Sequence, residues 1–170
     1  AYGNAVTTVL PANFTVSVSA GTIGAWTCAG NVCTATYTAG TLVTIVTLAA
    51  DMSGDAVVNV PAQIRVAAGA AAAGAAGTTA SIQPAAPYLR NTPYTVTVNV
   101  KDVYGNSVNP ASAGSFAGTA SVGTLGAFSC AVATCTATYT TPNAAAPAAT
   151  INIKIGGVDV TGSPIVIVVP

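Results

Sequence analysis

The chain has no glutamate and no histidine, and charge of either sign is scarce: Arg65, Arg90, Lys101 and Lys154 are matched by Asp51, Asp55, Asp102 and Asp159 over 170 residues. Phosphate recognition needs clustered Lys and Arg, so nucleic acid is excluded as a partner. General acid–base chemistry loses its commonest carriers with histidine and glutamate, and no Ser or Thr has a base beside it in sequence. No catalytic residue, no enzymatic activity and no cofactor are therefore expected. Asp51 and Asp55, in "DMSGD", offer too few oxygens for calcium, which takes about six to eight, and read as a polar turn. No metal site is expected. Long apolar runs are also missing. The densest, Ile165 to Val169, is bounded by Pro164 and Pro170, far short of the roughly 18 residues of a spanning helix. Neither regular pairs of ~10-residue strands nor the aromatic girdles of a membrane barrel occur. Disorder is excluded by hydrophobic residues at 52% of the chain, since disordered segments combine low hydrophobicity with high charge.

What the chain has is repetition. "WTCAGNVCTATYT" at Trp26 to Thr38 returns as "FSCAVATCTATYT" at Phe128 to Thr140, 102 residues later. At the same offset Tyr2-Gly3-Asn4 falls on Tyr104-Gly105-Asn106, Val6 on Val108, Gly21-Thr22 on Gly123-Thr124 and Gly24-Ala25 on Gly126-Ala127. A period of about 100 residues is too long for a solenoid unit and fits a tandem pair of sandwich domains. The hydrophobic period is two. Tyr94, Val96, Val98 and Val100 alternate with Thr95, Thr97, Asn99 and Lys101, and "FTVSVSA" from Phe14 and "INIKI" from Ile151 alternate likewise. Such runs, punctuated by Gly-Asn, Pro and Gly-Gly, predict half-buried antiparallel strands. The expected fold class is all-β. "AAGAAAAGAAGTTA" from Ala67 to Ala80 breaks the pattern. A turn or two of helix is open to it, but its glycines disfavour helix by about 1 kcal/mol each. Lying between the two copies, it reads as a domain linker.

Three motifs in order, "VTVNVKDVYGNSV" from Val96, "CTATYTTP" from Cys135 and "IGGVDVTGSPIVIVV" from Ile155, resemble the filamin-type immunoglobulin-like repeat and the Ig-like repeats of bacterial surface proteins. The resemblance covers residues 79–170 throughout and residues 1–66 more weakly, where "DAVVNVPAQIRV" from Asp55 replaces the Gly-Ser-Pro ending. It implies seven-stranded sandwiches used as spacers, crosslinkers or adhesive modules. The expected organisation is an incomplete Ig-like module at 1–66, a linker at 67–78 and a complete module at 79–170. The first module is expected to lack its N-terminal strands, because Ala1 aligns with Val103 and nothing in it matches residues 79–102. The 170 residues are accordingly expected to be a window on a longer array.

Cys28 and Cys33 flank four residues, as do Cys130 and Cys135, with strand-like sequence on either side. Residues facing each other across a hairpin at a non-hydrogen-bonded position lie about 4.5 Å apart at Cα, near the lower bound for a disulfide. Bridges Cys28–Cys33 and Cys130–Cys135 are expected, each stabilising by about 2 kcal/mol. Zinc favours closer spacing with histidine, and redox motifs favour two intervening residues. Free thiols would suit a cytosolic protein, whereas paired cysteines place the chain in an oxidising compartment, outside the cell or on its surface. Asn13-Phe14-Thr15 is an N-glycosylation sequon, a pattern that also arises by chance. Asp102, before "VYGN", reads as a turn residue whose carboxylate accepts from nearby backbone N–H groups. Trp26, Tyr2 and Tyr104 recur at the repeat offset and are expected at core or interdomain positions.

The leading expectation is a structural repeat of an extracellular filament or stalk, with copies of itself or neighbouring Ig-like modules as partners and glycans relieving the uncharged surface. The alternative is an adhesin or receptor ectodomain in which a module binds a protein or glycan.

Overall fold

A computed structural model of the chain describes residues 10–57, 61–74 and 76–170. Tyr2, Gly3, Asn4 and Val6 of the repeat, and residues 58–60 of the Asp55 stretch, lie outside the described residues. The chain forms two compact units, Ala1–Ala67 and Ala68–Pro170. Among the described residues the regular structure of both is almost wholly antiparallel strand, and the fold is all-β.

The first unit contains β1 (Phe14–Val18), β2 (Thr22–Ile23), β3 (Thr27–Ala29), β4 (Val32–Thr34), β5 (Tyr37–Thr38), β6 (Thr44–Met52), β7 (Asp55–Ala56) and β8 (Ala62–Val66). Strand β6 is central, pairing with β1, β7 and β8. The remaining strands form two short ribbons, β2 with β5 and β3 with β4. Among the described residues of this unit only Val46 and Ala50, both on β6, are buried apolar side chains.

The second unit contains β9 (Thr79–Gln83), β10 (Pro93–Asn99), β11 (Ala117–Ala120), β12 (Thr124–Leu125), β13 (Ser129–Ala131), β14 (Thr134–Thr140), β15 (Ala146–Ile155), β16 (Val158–Asp159) and β17 (Ile165–Val169). One sheet runs β12-β14-β10-β9, with β13 also on β14; the other runs β11-β15-β16, with β17 also on β15. Between them lies one core, because strict alternation sends every second residue inward. Val96 and Val98 on β10, Cys135 and Tyr139 on β14, Ile151 and Ile153 on β15 and Ile167 on β17 are all fully buried. Each such aliphatic side chain contributes about 1.5–3 kcal/mol by leaving water. The strand expected to reach Lys101 ends at Asn99. Val100 stays in the core, but its N–H donates to the Ala133 carbonyl and its own carbonyl accepts from the Val108 N–H.

Of the expected linker 67–78, residues 68–78 count with the second unit. Ala71 and Ala73 pack against its core. Thr78 is fully buried, its hydroxyl donating to the Lys101 carbonyl at 3.2 Å and accepting from the Lys101 N–H at 3.1 Å. The side chains here are small enough for the backbone to lie directly on the sandwich.

Candidate functional site

Both cysteine pairs close tight hairpins. Cys28 faces Cys33 across β3 and β4, bonded at 2.03 Å, and Cys130 faces Cys135 across β13 and β14, bonded at 1.97 Å. The two-residue turn of the first uses Gly30 at φ +63°; the second places Val132 at φ +56° in the equivalent position. Beyond the hairpins the copies share further contacts. The Gly24 N–H donates to the Thr36 carbonyl and the Gly126 N–H to the Thr138 carbonyl. Phe14 stacks on Trp26 with ring centroids 5.2 Å apart, and Phe116 meets Phe128 edge-on at 5.0 Å. The ring partners Phe14 and Phe116 were not recognised as a repeated pair in the sequence, although they also stand 102 residues apart.

Their surroundings differ sharply. In the second unit β14 is flanked by β10 on one side and by β12 and β13 on the other. Cys135, Ala137 and Tyr139 are consequently buried. In the first unit the same letters, Cys33 to Thr38, form two short pieces, and Cys33, Ala35 and Tyr37 are only half-buried. Among the described residues, nothing pairs with the outer side of β4 or β5. Nearby in sequence, a groove of about 430 Å³ is lined by Ala20, residues 40–44 and Val46. Leu42 and Val43 are exposed there.

Asp102 organises the turn that follows β10. It is 2% exposed. One carboxylate oxygen accepts from the Tyr104 and Asn106 N–H groups, both at 2.9 Å. The other accepts from the Gly69 N–H at 3.0 Å and from the Asn106 side-chain amide at 3.0 Å. The Asn106 side-chain bond, followed by the backbone bonds from Gly69, Asn106 and Tyr104, holds the carboxyl below its ordinary pKa against the opposing effect of burial. The turn was legible in the sequence, whereas the reach to Gly69 was not. Tyr104 itself is 61% exposed. The expectation was a core or interdomain position, and the core half of it is corrected for Tyr104, which stands on the turn beside Gly105 at φ +85°. Trp26 is half-buried.

The other singled-out residues do not converge. Asn13 is exposed at the foot of β1, its side-chain oxygen accepting from the Leu10 N–H. Asp51 and Asp55 flank the β6–β7 turn, with Asp55 opposite Met52. No group of three or more metal-ligating side chains assembles among the described residues. No helix among them is long and apolar enough to cross a membrane.

Comparison with known proteins places this geometry. FdeC, an Escherichia coli adhesin, matches with a TM-score of 0.62 and 21% identity over 93% of this chain and 53% of its own. InvD of Yersinia pseudotuberculosis matches with a TM-score of 0.57 and 23% identity over 92% of this chain and 45% of its own. These likenesses speak to fold, and the chain spans about half the length of each solved structure. No curated protein matches it. The family model described as the bacterial Ig-like domain matches residues 3–118. The chain belongs to the bacterial Ig-like domain family.

Proposed function

We propose that the chain is a structural repeat segment of a longer protein displayed on the cell surface, its Ig-like units acting as spacers that contact neighbouring units. The observation that carries this reading is the selective duplication. The disulfide hairpin, the aromatic pair and the Gly24/Gly126 contact are kept in both copies, and all of them serve the sandwich. Two disulfides, with no free cysteine among the described residues, favour an oxidising compartment, and the Ig-like family favours a non-enzymatic role. Immunogold electron microscopy of intact cells tests it. Label on stalks or filaments beyond the envelope is expected, and label confined to the cytoplasm overturns it. Attachment of sugar at Asn13 is a separate proposal, settled by the intact mass of native material.

A second reading, adhesion, draws on the likeness to FdeC, which is named an adhesin. It also draws on Val103 and Tyr104, 62% and 61% exposed on the turn fixed by Asp102. An apolar and aromatic pair on a rigid turn suits contact with a protein or a sugar face. Saturable binding of the purified chain to host-cell surfaces or glycan arrays, lost in Tyr104→Ala, selects this reading over the spacer.

A further inference from the structure

The second unit is fastened very differently where the chain enters it and where its last strand runs. Entry is through separate attachments, met in turn along the chain. The Gly69 N–H donates to the Asp102 carboxylate at 3.0 Å, the Ala72 N–H donates to the Lys101 carbonyl at 2.8 Å, and the Gly74 carbonyl accepts from the Thr161 hydroxyl at 3.0 Å. Thr78 comes last and is held most firmly. It is fully buried, its hydroxyl exchanges two hydrogen bonds with the backbone of Lys101, and its carbonyl accepts from the Thr161 N–H at 3.1 Å. Before Thr78 the chain doubles back on itself: the Thr78 N–H donates to the Ala72 carbonyl at 2.8 Å and the Gly77 N–H to the Gly74 carbonyl at 3.0 Å. Ala71 and Ala73 pack against the core, and both are small. Strand β17, by contrast, is paired with β15 as far as Val169, which is buried, and the Pro170 carbonyl accepts from Arg90 Nε at 2.6 Å. Folded length is stored at the entrance alone.

These two kinds of attachment answer tension differently. A bond that fixes a loop is loaded by itself and hands the load to the next once it opens. Each such bond contributes the modest net stabilisation of an ordinary hydrogen bond, so local opening lies far below unfolding of the whole unit. Beyond Thr78 the chain becomes β9, which lies antiparallel along β10 from Thr79 to Gln83 with Ala80 and Ile82 buried. A strand held along its length gives up its ladder and its apolar contacts together, and resists.

We propose that residues 68–77 are an extensible link that yields to tension: pulling strips them from the sandwich one attachment after another, and the chain lengthens while the second unit stays folded, with Thr78 as the stop. This further function rests on the reading of the chain as a spacer of a surface-displayed protein. Drawn out, residues 68–77 span at most about 35 Å. Their alanines and glycines leave the released segment supple, and they put little apolar surface into water, so the link docks again when tension falls.

Magnetic tweezers on the full chain test this, with handles coupled at Ala67 and Pro170 so that the first unit stays out of the loaded path. A reversible lengthening of at most about 35 Å is expected below the force that unfolds the sandwich. Ala72→Pro deletes one donor, and should raise the opening rate at fixed force about 2–10-fold while the sandwich ruptures as before. Thr78→Val weakens the stop, and should shorten the lifetime of the lengthened, still-folded state by a similar factor. Rupture in a single step, or a lengthening that either substitution leaves unchanged, overturns the proposal. So does rapid amide hydrogen exchange at Gly69, Ala72 and Thr78 in the unloaded chain, which would mean that the segment is already free. Immunogold labelling reads the place of display independently, so a link that fails under load leaves the surface reading standing, and cytoplasmic label leaves the measured extension standing.

Discussion

The hydroxyl of Tyr139 donates to the Val122 carbonyl oxygen at 2.8 Å, and 102 residues earlier Tyr37 donates to the Ala20 carbonyl at 3.1 Å. One bond ties β14 to the loop before β12, the other ties β5 to the loop before β2. Tyr139 is fully buried, and burial raises its pKa, whereas Tyr37 is half-exposed. Tyr139 donates from a buried ring to the carbonyl of Val122, a residue 44% exposed, so removing its hydroxyl loses an ordinary hydrogen bond, about 0.5–1.5 kcal/mol. Water can replace the hydroxyl of Tyr37. Tyr139→Phe should therefore lower the stability of the second unit by about 0.5–1.5 kcal/mol, and Tyr37→Phe that of the first by less. Urea titrations separate the two. The chain's single tryptophan, Trp26, lies in the first unit, so its fluorescence follows that unit, while circular dichroism also follows the other.

Val132 holds φ +56°, a conformation that β-branched residues rarely adopt and that costs of order 1–3 kcal/mol. The first copy has glycine in this place, Gly30 at φ +63°. The carbonyl of Val132 accepts from the Ala111 N–H at 2.7 Å, and its side chain is 69% exposed, so little packing is lost on trimming it. Val132→Gly should stabilise the second unit by about 1 kcal/mol, because relief of strain exceeds the added flexibility of the unfolded chain. A melting temperature raised by several degrees checks it, and a lowered one places the strain elsewhere.

What could be read from the sequence follows the range of the interactions involved. The alternation of Tyr94, Val96, Val98 and Val100 is local, and it gave the strand and its buried face. The Asp102 turn is also local, since three of its four donors lie within four residues. The fate of Cys33 to Thr38 is not. Six letters repeated at Cys135 to Thr140 make one continuous strand there and two short pieces here, because the partner strand is remote in sequence. The Ala-Gly segment misleads for a related reason. Its composition is that of a flexible tether, but alanine and glycine are also what a backbone needs in order to lie flat on a sandwich. Thr78, which anchors it, looks like any other threonine until its exchange of hydrogen bonds with Lys101 is seen.

Asp102 gives the second unit a pH dependence of known sign. Its folded pKa is lowered, first by the Asn106 side chain and then by the backbone donors at Gly69, Asn106 and Tyr104. The resulting stabilisation is fully present above the unfolded value, about pH 4, and fades as pH falls through the lowered folded value. Asp102→Asn removes both the charge and one acceptor. The gap in melting temperature between wild type and Asp102→Asn should thus be widest near neutrality and shrink on acidification below about pH 4. A gap that stays constant across that range would mean that the residue acts through shape alone.

The segment 68–78 decides where the second unit begins. Besides the Thr78–Lys101 pair, the Ala72 N–H donates to the Lys101 carbonyl at 2.8 Å and the Thr161 N–H to the Thr78 carbonyl at 3.1 Å. The Thr161 hydroxyl donates to the Gly74 carbonyl at 3.0 Å, and the Gly69 N–H donates to Asp102. Such bonds contribute about 0.5–1.5 kcal/mol each, and Ala71 and Ala73 add apolar cover. Residues 68–170 should fold alone as a cooperative unit. A fragment that starts at Thr79 should lose about 2–5 kcal/mol, a fall of roughly 10–30 °C in melting temperature for a domain of this size. Residues 1–67 alone, with Val46 and Ala50 as the buried apolar side chains among the described residues, should not melt cooperatively. Calorimetry of the three fragments distinguishes the outcomes. If the fragment from Thr79 melts with the one from Ala68, the segment is a tether after all, and its hydrogen bonds contribute nothing net to stability.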